Sequence, residues 1–138
     1  MKFLHSMIRV KDLSNSIKFY RDTLGLKLIR TKDYPNERFS LYFFAADEGQ
    51  AEIELTHNWD DMEYSNGNTF GHLAFLVDDI YYTCSSLQEN GVEILRPPRD
   101  GHMAFVKDPN GISIELLQRG QSLPIKEPWR SMLNQGSW

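Results

Sequence analysis

His5-Ser-Met-Ile-Arg-Val10 and His72-Leu-Ala-Phe-Leu-Val77 are two short apolar stretches, each opened by a histidine and each reading as a strand. They lie 67 residues apart, and the same step carries Asp12 to Asp79, Leu13 to Ile80, Ile17 to Cys84 and Tyr20 to Leu87. One offset aligns a strand, a helix cap and a helix face, which is the mark of an internal repeat. A second motif also occurs twice: Ile53-Glu54-Leu55 ends the strand run of the first half, and Ile114-Glu115-Leu116 ends that of the second. The glutamates break the offset. Glu54 follows His5 by 49 residues and Glu115 follows His72 by 43, so the second half must carry shorter loops.

Working outward, Phe3 to Val10 is expected as a strand, with Asp12 or Ser14 capping the helix after it. Leu13, Ile17, Tyr20 and Leu24 fall on one helical face, and Gly25 suits the helix stop. Leu26 to Lys32, Phe39 to Ala45 and Ala51 to Thr56 or Asn58 read as three further strands, separated by the turn chemistry of Pro35-Asn36-Glu37 and Asp47-Glu48-Gly49. The second half repeats the order: a strand over 71–77, a helix capped by Asp78 or Asp79 and ended by Gly91, then strands at Val92 to Leu95, His102 to Lys107 and Ile112 to Leu117. Asp108-Pro109-Asn110-Gly111 is a strong turn between the last two. Each half is therefore strand, helix and three strands. The expected division is a first module over 1–58, a linker over 59–70, a second module over 71–118 and a tail over 119–138.

The chain has 138 residues, 41% hydrophobic and 25% charged, the profile of an ordinary soluble domain. Halves of about 60 residues are marginal alone and should share a sheet or pair with a second chain. A net charge of −4 argues against nucleic acid as a partner. No apolar run approaches the roughly 18 residues of a membrane span, and Lys2 leads into a strand rather than a signal region. The single cysteine, Cys84, can form no internal disulfide, which fits a reducing, cytoplasmic setting.

Strands send alternate side chains to opposite faces. His5, Met7 and Arg9 share one face, as do Glu54, Thr56 and Asn58, while Ile53 and Leu55 point into a helix-covered core. A lone strand histidine is more often structural than a ligand; two histidines and two glutamates placed alike in two halves read instead as one metal site, His5, Glu54, His72 and Glu115. Two neutral imidazoles and two carboxylates balance a divalent ion and suit Ni, Co, Zn, Mn or Fe better than Ca or Mg. Four protein ligands leave octahedral positions open for substrate, as a catalytic site requires. His57 lies three residues after Glu54, so in a strand it faces the other way and reads as structural. His102 is expected in a loop, and Cys84 as an inert core residue.

These residues resemble glyoxalase I, within the vicinal-oxygen-chelate superfamily. The resemblance covers residues 1 to about 118. It rests on His5-Ser-Met-Ile-Arg9-Val-Lys-Asp-Leu, Ser16-Ile-Lys-Phe-Tyr20 with Leu24-Gly25-Leu26, Ile53-Glu54-Leu-Thr-His-Asn58-Trp59, Phe70-Gly71-His72-Leu and Asp108-Pro-Asn-Gly111-Ile-Ser-Ile-Glu115-Leu. It implies an α+β fold of tandem βαβββ modules whose curved mixed sheet lines a cleft, with the helices on the outer face. It implies a homodimer with sites at the interface, His5 and Glu54 from one chain and His72 and Glu115 from its partner, around one divalent metal, Ni or Co favoured and Zn possible. The implied reaction isomerises the hemithioacetal of methylglyoxal and glutathione to S-D-lactoylglutathione through a metal-stabilised enediolate. Glu115 is the first choice of base, with Glu54 flanking. Arg9 and Asn58 match positions that hold the γ-glutamyl end of glutathione. At the other end the sequence departs from the family: the loop that usually brings a lysine is short, and Arg96 or Arg99 stands in for it, while Asn68 replaces a basic residue of some relatives. The competing readings on this scaffold are a thiol transferase, an extradiol dioxygenase with two His and one carboxylate, an acyl-CoA epimerase and a metal-free drug-binding module.

Overall fold

The computed structural model describes residues 1–138, which fall into two compact units, Met1–Ser65 and Asn66–Trp138. The first contains β1 (His5–Arg9), α1 (Leu13–Ile17) continued by a π-helical turn (Lys18–Thr23), β2 (Lys27–Tyr34), β3 (Phe39–Ala45) and β4 (Glu52–Asn58). Its sheet runs β1-β4-β3-β2, with β1 parallel to β4 and the other neighbours antiparallel. The second contains β5 (His72–Val77), α2 (Ile80–Glu89), β6 (Met103–Lys107) and β7 (Ser113–Gln118), in the order β5-β7-β6 with β5 parallel to β7. Both units thus place their first strand beside their last in a parallel pair. The repeat extends from sequence to topology.

The helix starts sit where the repeat puts them. Asp12 accepts from the backbone N–H of Asn15 at 2.9 Å, and Asp79 accepts from those of Tyr81 and Tyr82, each at 2.9 Å. Such caps satisfy donors that the first helical turn leaves unpaired. The first helix departs from the regular face expected of it. Leu24 N–H bonds Phe19 C=O at 2.8 Å, an i to i+5 closure that widens the turn. The wide turn lets two adjacent aromatics, Phe19 and Tyr20, both enter the core, edge to face at 5.2 Å.

The cores follow strand alternation. Ile53 and Leu55 pack with Ile8, Tyr20 and Phe44 in the first unit; Ile114 and Leu116 pack with Ile80, Cys84, Leu87 and Val106 in the second. Burying each such side chain is worth about 1.5–3 kcal/mol. Gln118, itself buried, ties α2 to the end of β7: its amide accepts from Ile80 N–H at 2.9 Å and donates to Asp78 C=O at 2.8 Å.

The strand expected at Val92 to Leu95 does not form. A single bridge, Arg96 to Phe105, replaces it, with Leu95 and Arg96 N–H both directed at Phe105 C=O. Pro97 and Pro98 follow at once and offer no N–H, so a ladder cannot extend past the bridge. The first unit has an irregularity of a different kind. A bulge in β2 between Leu28 and Arg30 shifts the register, so Arg30 rather than its neighbour stands opposite Phe43.

Residues 119–138 fold onto the second unit. Trp129 is buried and stacks on Tyr81 at 6.4 Å, whose hydroxyl donates to Pro124 C=O at 3.0 Å. Leu123 N–H bonds Gly101 C=O at 2.9 Å, and Gln135 N–H bonds Leu95 C=O at 2.8 Å.

Candidate metal centre

In β1 and β4 the register pairs His5 with Glu52 and Met7 with Glu54. His5 and Glu54 therefore share a face, one step of two residues apart. In β5 and β7 the register pairs His72 with Ser113 and Ala74 with Glu115. The step is the same, although the sequence spacings differ. The result is two matching pairs: His5 Nε2 lies 3.0 Å from Glu54 Oε2, and His72 Nε2 lies 3.1 Å from Glu115 Oε2. The imidazoles are open, 39% and 43% exposed, while the carboxylates are enclosed, 12% and 15% exposed.

This donor chemistry fits a divalent metal. Nitrogen and oxygen donors each about 2.1 Å from one ion, at a right angle, stand about 3 Å apart, which is the spacing each pair presents. A pair alone supplies only two donors, and nowhere in the chain do three His, Cys, Asp or Glu side chains gather as a metal cluster. Each pair by itself therefore falls short of the donor number of a catalytic metal centre.

The sequence reading missed a third member of each pair. Phe43 stands opposite Glu54 across the β3–β4 ladder, and its ring meets His5 edge-on at 6.0 Å. Phe105 stands opposite Glu115 across β6–β7, and its ring meets His72 edge-on at 5.3 Å. Both phenylalanines are buried, at 4% and 7% exposure, so an apolar wall flanks each imidazole. The signal was present: counting back through the hairpin, a Phe precedes each Glu by 11 and by 10 residues. The outer faces of these rings are covered differently. Arg30 places its guanidinium 3.4 Å over Phe43 while donating to Glu52 at 2.6 Å; Trp138 stacks on Phe105 at 5.8 Å.

The carboxylates also differ. Glu54 Oε1 accepts from Thr56 Oγ1 at 3.2 Å. Two residues after Glu115 stands Leu117, which has no hydroxyl to offer.

Of the other candidates, Arg9 is exposed on the face of β1 that carries His5. The Asn58 side chain donates to Tyr64 hydroxyl at 2.7 Å and lines a cavity of about 220 Å³ with Val10, Lys11, His57 and Trp59. His57 turns to the opposite face from Glu54, its Nδ1 3.4 Å from Val10 C=O. A second cavity, of about 300 Å³, reaches His5 and is lined by Lys2, Arg30, Gln50 and Glu52.

Arg96 and Arg99 are engaged within the chain. Arg96 donates to Met103 C=O and, at 2.9 Å, to Asp100. Burial pushes the Asp100 carboxyl up, but hydrogen bonds from Arg96 and from the Met103 and His102 N–H groups outweigh it and pull the group down to about 2. Arg99 donates to Met132 C=O at 3.0 Å and to Asn134 at 2.8 Å, which clasps the 119–138 segment. Cys84 is fully enclosed, and burial pushes its thiol up to about 12.

Comparison with known proteins places these features in context. The sequence model of the Glyoxalase/Bleomycin resistance protein/Dioxygenase superfamily matches residues 2–116. A probable lactoylglutathione lyase of Synechocystis sp. is 47% identical over 125 residues, covering 86% of this chain and 95% of that protein. The lactoylglutathione lyase of Haemophilus influenzae is 44% identical over 125 residues, covering 86% and 93%. The solved structure of the trypanothione-dependent glyoxalase I of Leishmania major superposes with a TM-score of 0.82 at 38% identity, covering 86% of each chain.

Proposed function

The chain belongs to the Glyoxalase/Bleomycin resistance protein/Dioxygenase superfamily, and on that premise we propose that it works as a lactoylglutathione lyase, a glyoxalase I. It isomerises the hemithioacetal of methylglyoxal and glutathione to S-D-lactoylglutathione and so removes methylglyoxal. The observation that carries this reading is the duplicated His–Glu pair, set by one register step in both units and spaced about 3 Å in each.

His5 and Glu54 of one chain, with His72 and Glu115 of a second copy, would hold one divalent ion, Ni or Co in preference to Zn, at the interface of a homodimer. Two-donor half-sites support the dimer, because a catalytic centre of this class needs more donors than either pair offers. When bound, the ion supplies Lewis-acid polarisation of the substrate oxygens. Glu115 takes the proton from the carbon that bears sulfur and delivers it to the neighbouring carbon. The thioester and the new hydroxyl-bearing carbon account for every atom, with no co-reactant. Glu115 suits this task better than Glu54, whose carboxylate is tethered by Thr56. Phe43 and Phe105 give each imidazole one apolar wall, which limits the directions the ring can turn. Arg9 grips the γ-glutamyl carboxylate with parallel hydrogen bonds, and Asn58 is held ready by Tyr64. Arg96 or Arg99 would reach the glycyl carboxylate by exchanging its present partner, Asp100 or Asn134. No helix is long and apolar enough to cross a membrane; a cytoplasmic setting, where the thiol is reduced, suits the reaction.

The test removes metal, restores Ni, Co or Zn in turn, and follows thioester absorbance with methylglyoxal plus glutathione. Activity returns with metal, best with Ni or Co, and Glu115→Gln loses at least about a hundredfold in kcat. A complementation experiment tests the shared site. His5→Ala and His72→Ala chains are each inactive alone. A mixed dimer holds one site with both defects and one with neither, so random reassociation recovers about one quarter of the wild-type rate. Metal-independent binding without turnover, or no recovery on mixing, would refute the lyase or the interface respectively.

A further inference from the structure

On the strand face that carries His72, Phe105 and Ser113 are buried while the rest is open or half-open. Ala74 and Leu76 of β5 are exposed, and Glu115, Leu117 and Met103 on the same face are only partly covered. What lies over Phe105 is the indole of Trp138, with ring centroids 5.8 Å apart and planes within 26°. The Phe105 ring also meets His72 edge to face. Three rings therefore run outward from the half-site, His72, Phe105, Trp138, and the last is still 42% exposed. Its position is held from several directions. Gln135 N–H bonds Leu95 C=O, Arg99 clasps Met132 and Asn134, and Trp129 anchors the segment on Tyr81. In the first unit the matching place over Phe43 is taken by the guanidinium of Arg30. A site assembled from one pair of each kind has a cationic flank and an apolar flank, and the apolar one is narrowed by an indole.

We propose that Trp138 is a specificity-determining residue that limits the size of the aldehyde-derived group on the substrate. The inference rests on the lyase reading. A methyl group fits beside Phe105 with the indole in place; a phenyl group needs the volume that the indole fills. Removing the indole opens an aromatic-lined space against Phe105, and burying a ring there is favourable in proportion to its apolar area.

Two measurements test this on the 138-residue chain. The first is kcat/KM for the glutathione hemithioacetals of phenylglyoxal and of methylglyoxal. In Trp138→Ala the ratio of the first to the second rises about tenfold over wild type, and in Trp138→Phe, which keeps a smaller ring on Phe105, it rises less. The second is calorimetric binding of two unreactive thioethers, S-benzylglutathione and S-methylglutathione; the preference for benzyl rises by a similar factor in Trp138→Ala. A lost stack or a loosened segment would lower both substrates together and leave the ratio alone. A ratio unchanged within about twofold, or one that falls, overturns the assignment. Thioether binding without turnover of either adduct by wild type removes the lyase reading while the binding preference still decides Trp138. If wild type binds neither thioether and turns over neither adduct, both readings fall.

Discussion

Gly101→Ala should unseat the 119–138 segment, and the cost can be built from the structure. Gly101 has φ +67°, a conformation that costs an L-residue about 1–2 kcal/mol. A Cβ there would lie 2.1 Å from Leu123 O and 3.0 Å from Leu123 C and N, all backbone atoms that cannot rotate aside. The segment must lift, and the bond from Leu123 N–H to Gly101 C=O breaks, costing about 0.5–1.5 kcal/mol. The bond from Tyr81 hydroxyl to Pro124 C=O, one residue on, is strained with it. The two costs sum to about 1.5–3.5 kcal/mol, or a fall in Tm on the order of 10 °C. Gly91→Ala is the control. Its φ is +78°, but no atom lies within 4 Å of the added carbon, so only the backbone cost of about 1–2 kcal/mol remains. Urea unfolding followed by tryptophan emission reads both variants, with Trp129 and Trp138 reporting on the second unit. If Gly101→Ala proves no less stable than Gly91→Ala, Leu123 is not seated on Gly101, and the placement of Trp138 loses its support.

Two further outcomes follow from burial and charge. Cys84, pushed up to about 12 by burial, should resist a disulfide reagent at pH 8 in the native protein and react fully in denaturant; prompt native labelling would contradict its enclosure. Asp100 is held at about 2 against an ordinary 3.8, so its charged form stabilises the fold above pH 3.8, and that stabilisation is lost as pH falls toward 2. Asp100→Asn should weaken the protein at neutral pH and flatten the stability curve over that acid window, as acid titration of unfolding would record.

What could be read from the sequence was whatever is local or repeated. Asp12 and Asp79 cap helices because a cap needs only three or four residues of context. The His–Glu pairs were legible because a repeat supplies a second copy to check the first, and because alternation along a strand tells which face each residue takes. Residues that meet across strands were harder. Phe43 and Phe105 belong to the pairs through hairpin register, and register depends on loop lengths that differ between the halves. Arg30 reaches Phe43 only because β2 carries a bulge, which alternation does not announce. The strand expected at Val92 to Leu95 shrinks to one bridge because Val92 N–H is taken by Leu87 C=O at the end of α2, while the two prolines after Arg96 stop the ladder from extending on the other side. Trp138 was least legible, since its place depends on Leu123 lying against a residue without a side chain. The same dependence argues for function. Sequence spacing between His and Glu shrinks from 49 to 43 residues, yet the register step and the 3 Å separation are the same in both units. Loops changed length while the donors kept their places. That is the outcome expected if a shared ion constrains donor spacing tightly and leaves the connecting turns free. The open imidazoles and enclosed carboxylates match in the two units as well, 39% and 43% exposed against 12% and 15%.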